Sequence, residues 1–289
     1  MKKWDGKTKG SLWGYKFFVF CIEKTGLRFS YFFCFIVSLF YTIYLNKSRR
    51  AVMSFHIKSF HVSKVVAFFR AQQTFFNYAK TLVDKIAMSL RRKNQYSFES
   101  KNDSYIQELL DHGKGGLLIS GHIGNGEIAG NMISEKITSE ISVVVFNNEI
   151  AHIKEYLDSK TGGSDYKLIQ INDDLSHLIR IKQAAARNEL IAVDGDRLLS
   201  ESNYVEVFMF GNKARFPIGP FLMSTKFKIP VLFVFALKTG PRHYFLEAIK
   251  PSRVDLDAES LLKEFVSVFT EKVKAHPTQW YNFFDFYAD

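Results

Sequence analysis

Two cysteines in 289 residues are too few for a disulfide framework, and their spacing suits no metal site. Cys21 and Cys34 both lie in apolar sequence and read as packing residues of a protein whose globular part sits in a reducing compartment. Proline- and serine-rich linkers, internal repeats and low-complexity tracts are absent, which excludes a string of modules. Acid is scarce at one end. Residues 1–101 carry 4 Asp+Glu against 19 Lys+Arg, a net of +15, and the remainder nets −5. The cations flank long apolar runs rather than forming a polar face with a few aromatics, so an anionic membrane surface is the expected partner and nucleic acid is not.

What is present starts with those runs. Phe17 to Ile22 is followed by charges at Glu23, Lys24 and Arg28, and Phe29 to Leu45 is then uncharged and crowded with Phe, Tyr and Ile. No small-x-small site closes the run, which argues against a cleaved signal peptide. A short transmembrane helix, an interfacial helical hairpin and a buried core helix all fit its length and composition. Residues 1–50 are therefore expected to be a basic, membrane-associating segment, and 51–289 the catalytic domain. Residues 51–93 read as two amphipathic helices broken near His61.

From Asp103 onward, short apolar runs alternate with amphipathic stretches. Strands are expected at 116–119, 141–146, 167–170, 190–193, 204–209, 230–238 and 243–249. Helices are expected at 103–111, 127–137, 149–160, 174–188, 217–227 and 257–274. This alternation predicts an α/β fold, a mostly parallel sheet flanked by helices, with reactive residues at the carboxyl ends of the strands.

The densest chemistry lies at Gly115-Gly-Leu-Leu-Ile-Ser-Gly-His122-Ile-Gly124-Asn125-Gly126-Glu127-Ile-Ala-Gly130. A short buried strand runs into a glycine-rich turn and then a helix. Among the eight histidines only His122 has an acid five residues on. That places an imidazole in the turn and Glu127 in the first helical turn, the parts of a base and its orienting partner. The Asn125 amide or the N–H groups from Gly124 to Gly126 would stabilise an oxyanion. A plain helix-capping histidine is the bland reading. Two further constellations fall at strand ends: Asp194-Gly-Asp196-Arg197, and Lys213 with Arg215 ahead of a helix near Pro217, where cations beside a helix N-terminus suit a phosphate.

His122-Ile-Gly-Asn-Gly-Glu127 resembles the His-x4-Asp/Glu motif of membrane acyltransferases, in the form found in the late acyltransferases of lipid A biosynthesis. Trp13-Gly, Val207-Phe-Met-Phe-Gly211 leading to Gly219-Pro220, Ile229-Pro-Val231 and His276-Pro-Thr-Gln-Trp280 resemble that family in order and spacing. The ending Trp280-Tyr-Asn-Phe-Phe-Asp-Phe-Tyr287 is closer to relatives of aryl-polyene or flexirubin-type lipid pathways. Gly126 and Asp194-Gly-Asp-Arg197 depart from the tryptophan and the Asp-Gln pair of the lipid A enzymes. The resemblance implies a glycerolipid-acyltransferase-like domain on the cytoplasmic face of a bacterial inner membrane. Acyl carrier protein would be the donor, a lipid hydroxyl or amine the acceptor, His122 the general base and Glu127 its partner. Asp194, Arg197, Lys213 and Arg215 would bind substrate, and neither metal nor cofactor is expected.

Two other classes stay in view. Gly124, Gly126 and Gly130 match G-x-G-x3-G after a strand, and Tyr156 with Lys160 forms a Tyr-x3-Lys pair, as in a nucleotide-binding oxidoreductase. A non-catalytic membrane scaffold would use the basic helices alone.

Overall fold

The computed structural model describes residues 12–90, 95–145, 166–171, 174–198, 203–253 and 255–287. Its centre is a seven-stranded sheet in the order β1-β9-β8-β2-β5-β3-β4. The strands are β1 (Ser97–Lys101), β2 (Gly116–Ser120), β3 (Ile141–Val145), β4 (Tyr166–Gln170), β5 (Leu190–Asp194), β8 (Val231–Gly240) and β9 (His243–Ile249). Five of them, β8 to β4, run parallel, and β9 turns back antiparallel on β8 with β1 alongside it. A separate antiparallel hairpin is formed by β6 (Tyr204–Met209) and β7 (Asn212–Pro217).

The central strands β2, β5 and β8 are apolar on both faces because both are covered. On one face Leu117, Ile119, Val193 and Phe233 pack under α7 (Ser176–Ala186), α8 (Gly219–Phe227), α9 (Ala258–Ala275) and the carboxy-terminal tail. On the other, Leu118, Leu232, Val234 and Tyr244 meet α5 (Ser104–Asp111), α6 (Gly126–Ser134) and the amino-terminal helices. The α/β architecture with a mostly parallel sheet and flanking helices is the one its alternating pattern predicts.

The expected elements are present with small shifts, and two strands were not foreseen. β1 is a short edge strand, Ser-Phe-Glu-Ser-Lys, with no apolar run to mark it. β7 occupies 212–217, where the sequence reading had a loop, and the next helix begins at Gly219 rather than Pro217. The expected helix 149–160, with Tyr156 and Lys160, lies outside the described residues.

Four helices open the described chain: α1 (Leu12–Lys24), α2 (Leu27–Tyr44), α3 (Asn46–Phe60) and α4 (Lys64–Ser89). The break between α3 and α4 falls at His61, whose left-handed backbone (φ 52) ends α3, and Ser63 caps α4 by accepting from Val66 N–H. α2 is the only helix among the described residues long and apolar enough to cross a membrane.

It nevertheless lies antiparallel along α4. Tyr31 meets Asp84, Phe35 stacks edge-on with Phe76 at 5.6 Å, and Thr42 bonds Gln72. The deepest tie is the buried Asp84 carboxylate. It accepts from Tyr31, Tyr244, Tyr96 (2.9 Å) and Lys238 Nζ (2.5 Å), joining α2 and α4 to β8 and β9. A buried charge is tolerated because every side of it has a donor.

Candidate active site

β2 and β5 are adjacent parallel strands in register, with Ser120 opposite Asp194. Two residues beyond each strand end stand His122 and Asp196, so the topology brings together groups 74 positions apart. His122 Nδ1 lies 2.7 Å from Asp196 Oδ1, and the His122 backbone N–H donates to Asp196 Oδ2 at 3.1 Å. Trp280 Nε1–H donates to the same Oδ2 at 2.9 Å. Burial raises the Asp196 carboxyl, but His122, Arg197 and Trp280 outweigh it and hold its pKa down at about 2. Asp196 is thus an ionised, fully hydrogen-bonded acceptor that fixes the imidazole ring.

The other ring nitrogen, Nε2, lies 3.4 Å from Asp194 Oδ2. Asp194 stands on the cavity wall, with 47 % of its side chain accessible. Burial raises its pKa, with Asp196 adding to the effect and His122 and Arg197 opposing it. His122, Asp194 and Asp196 are the one His/carboxylate cluster among the described residues with ligand atoms all within 4.8 Å. The Asp196 oxygens, however, already accept three N–H groups, so a cation there would have to displace the contacts that orient the ring.

The expected pairing of His122 with Glu127 is not formed. Glu127 binds Lys85 of α4 and accepts from Tyr166 O–H at 3.0 Å, and no hydrogen bond or ion pair joins it to His122. The cause is local. Asn125 is the N-cap of α6, accepting from Ile128 N–H at 3.4 Å, so Glu127 is already inside the helix and turned toward α4. Both residues line the same cavity. Burial lowers the Lys85 pKa, but Glu127 more than offsets it, and the ammonium is retained.

The turn itself is tightly specified. Gly124 has φ +69, and a Cβ there would lie 2.1 Å from Ala236 O. Gly124 N–H donates to Gln279 O at 3.0 Å and Asn125 N–H to Ala236 O at 2.9 Å. Of the expected oxyanion donors, these two N–H groups and the Asn125 side chain are therefore occupied in shaping the turn. α6 begins at Gly126, so the N–H groups of Gly126 and Glu127 are those at its start without an intrahelical acceptor.

The cavity measures ≈ 1380 Å³ and runs from His122 along β3 and β4 to the space between α1, α2 and α4. Val143, Val145, Leu168, Phe33 and Phe75 make its walls largely apolar. Arg197 also lines it, its guanidinium donating to Tyr281 O at 2.6 Å. Lys213 and Arg215 do not line it. They sit on β7, where Arg215 pairs with Glu206 at 3.0 Å and covers the Tyr204 ring.

The family model for bacterial lipid A biosynthesis acyltransferases matches the chain over residues 65–285, the stretch that holds this strand, glycine turn and helix. The chain belongs to that family. It is an acyltransferase of lipid A-like biosynthesis, and the matched region starts at α4 and takes in the whole sheet. No curated protein matches the chain.

Asp196 and Trp280 are the site residues that motif spacing missed. A motif counts positions along one segment, whereas these two reach His122 from a neighbouring strand end and from the tail. Their signal was topological: Asp194-Gly-Asp196-Arg197 follows an apolar strand, where parallel sheets gather reactive groups.

Proposed function

We propose that the protein transfers a fatty acyl group from the thioester of acyl carrier protein to a hydroxyl, or an amine, of a lipid acceptor at the cytoplasmic face of the inner membrane. The observation that carries this reading is the His122 ring, held through Nδ1 by Asp196 while Nε2 faces an apolar cavity ≈ 1380 Å³ in volume. With Asp196 accepting the Nδ1 proton, Nε2 is left with its lone pair toward the acceptor.

Nε2 removes the proton from the acceptor O–H as the oxygen attacks the thioester carbonyl carbon. The tetrahedral oxyanion is met by the N–H groups of Gly126 and Glu127 at the start of α6. When it collapses the C–S bond breaks, and the thiolate leaves with the proton held on Nε2. Asp196 stabilises the imidazolium between the two steps and Asp194, 3.4 Å from Nε2, adds to that field. General-base catalysis of this kind contributes about 10²–10⁴-fold.

In this reading Glu127 is a positioning residue, since with Lys85 it fixes the first turn of α6 whose N–H groups meet the oxyanion. Arg197 serves the anionic part of a substrate and buttresses Asp196. The test is mass spectrometry of lipids from cells carrying the wild-type chain or His122→Ala. A species differing by one acyl group should vanish in the mutant, and identical profiles with folded mutant present would overturn the proposal.

A further inference from the structure

The amino-terminal hairpin is built inside out for a soluble protein. The face of α2 turned toward α4 carries Ser30, Cys34, Ser38 and Thr42, all buried and spaced four apart. The opposite face carries Phe32, Ile36, Phe40 and Ile43, each about half exposed. Small residues at this spacing let helices pack closely where lipid covers the remaining surface. Gln72 Nε2 donates across the seam to Ser38 Oγ at 3.0 Å, and Arg49 of α3 closes the end of α2 by donating to Thr42 O at 3.0 Å. The exposed apolar surface continues over Trp13, Phe17 and Phe20 of α1 and Val65 and Phe69 of α4.

The direction of that surface follows from what lies behind it. α2 is docked along its whole length on α4, whose other side is fastened to the catalytic tail through Asn77 to Thr278 and Thr81 to Tyr281. A bilayer-crossing α2 would carry α4, with Asp84 and its partner Lys238, into the hydrocarbon region, where ionised groups are costly. The described part of α1, 13 residues, is about 20 Å long against an apolar core of about 30 Å. Cations mark both ends of the hairpin, Lys24 and Arg28 at the turn and Lys47 and Arg50 beyond α2, all exposed.

We infer that α1 and α2 do not cross the membrane but lie flat in one leaflet of an anionic bilayer, and that the cavity opens sideways into that leaflet. Trp13 and Phe17 both face outward and line the cavity, as do Lys47 and Arg50. The mouth therefore has an aromatic lip on one side and a cationic lip on the other, at the depths where acyl chains and anionic headgroups lie. A lipid acceptor would reach His122 without leaving the leaflet. This last step rests on the acyltransferase reading; the membrane placement does not.

The experiment is sided labelling of the full-length chain. Arg28→Cys, Lys47→Cys and a reporter on exposed α9, Lys263→Cys, are made singly after Cys21→Ala and Cys34→Ser. A membrane-impermeant maleimide is then applied to spheroplasts and to inverted inner-membrane vesicles. All three positions should label from the same side. Labelling of Arg28→Cys and Lys47→Cys from opposite sides, or of neither from either side, overturns the inference.

A second measurement leaves the native cysteines in place. In vesicles of mixed anionic lipid brominated at different depths, the fluorescence lost on Trp13→Phe should be the part quenched by shallow bromines. Its absence, or quenching greatest at the bilayer centre, also overturns the proposal. Both results are expected unchanged in His122→Ala, so failure of acyl transfer and failure of the flat placement are separately visible.

Discussion

Asp196 holds His122 from 74 residues away, through Nδ1 at 2.7 Å and through the backbone N–H at 3.1 Å. Asp196→Asn keeps the shape but offers an amide N–H where an acceptor is needed, favouring the wrong imidazole tautomer. Acyl transfer should fall by about 10²–10⁴-fold, with kcat reduced more than KM is raised. Steady-state kinetics on the purified variant checks this, and wild-type kcat would mean the ring is oriented by something else.

Glu127→Gln should cost less in rate than Asp196→Asn and more in stability than a surface change. It leaves the Lys85 ammonium facing the cavity with its main counter-charge gone. Because both side chains retain some access to the cavity, the loss should be about 2 kcal/mol, below the 3–5 of a sealed pair. Replacing both, as Glu127→Gln with Lys85→Met, should recover most of it. Chemical denaturation of the single and double variants measures the difference.

Acid should act in two windows. His56 is fully buried beside Phe55 and Phe60, and burial together with Arg70 lowers its pKa to about 4. A base with a depressed folded pKa contributes stability above its unfolded value near 6.5, and that stability is lost as pH falls from there to about 4. Asp196, held at about 2 against an ordinary 3.8, gives the second loss between about 4 and 2. His56→Phe should flatten the first window and leave the second. Denaturation midpoints measured from pH 7 to pH 3 test this, and an unchanged slope in the variant would refute it.

Gly124→Ala combines a positive-φ penalty of about 1–2 kcal/mol with a Cβ 2.1 Å from Ala236 O. The turn has to open, so activity should be lost along with the stability. Gly126→Ala, where a Cβ meets nothing within 4 Å, should fold normally. Thermal melts of the pair separate the two positions.

The layered sheet was legible because its strands, Leu117 to Ile119 and Leu190 to Val193 among them, are short apolar runs broken by turn residues. His122 was legible for the same reason, as the residue where a strand enters a glycine turn. Its partner was not, since Glu127 is near in sequence but rotated away by the helix that Asn125 caps. Asp196 is distant in sequence but adjacent once β2 and β5 pair. The polar edge strand β1 and the hairpin strand β7 escaped because neither presents a continuous apolar run. Lys213 and Arg215, expected in the stretch ahead of a helix, stand on β7 instead, where Arg215 pairs with Glu206.

The Asp84 cage sets an order of events during synthesis. Tyr31 of α2 meets Asp84 directly, but Lys238 and Tyr244, which complete the carboxylate's shell, are made 154 and 160 residues after it. Until β8 and β9 emerge, the small-residue face of the hairpin has only an unfinished, charged neighbour. If the hairpin lies in lipid as inferred above, its entry there should be coupled to closure of the sheet. A ribosome-bound chain cut short before Lys238 should hold to membranes weakly, however apolar its first fifty residues are.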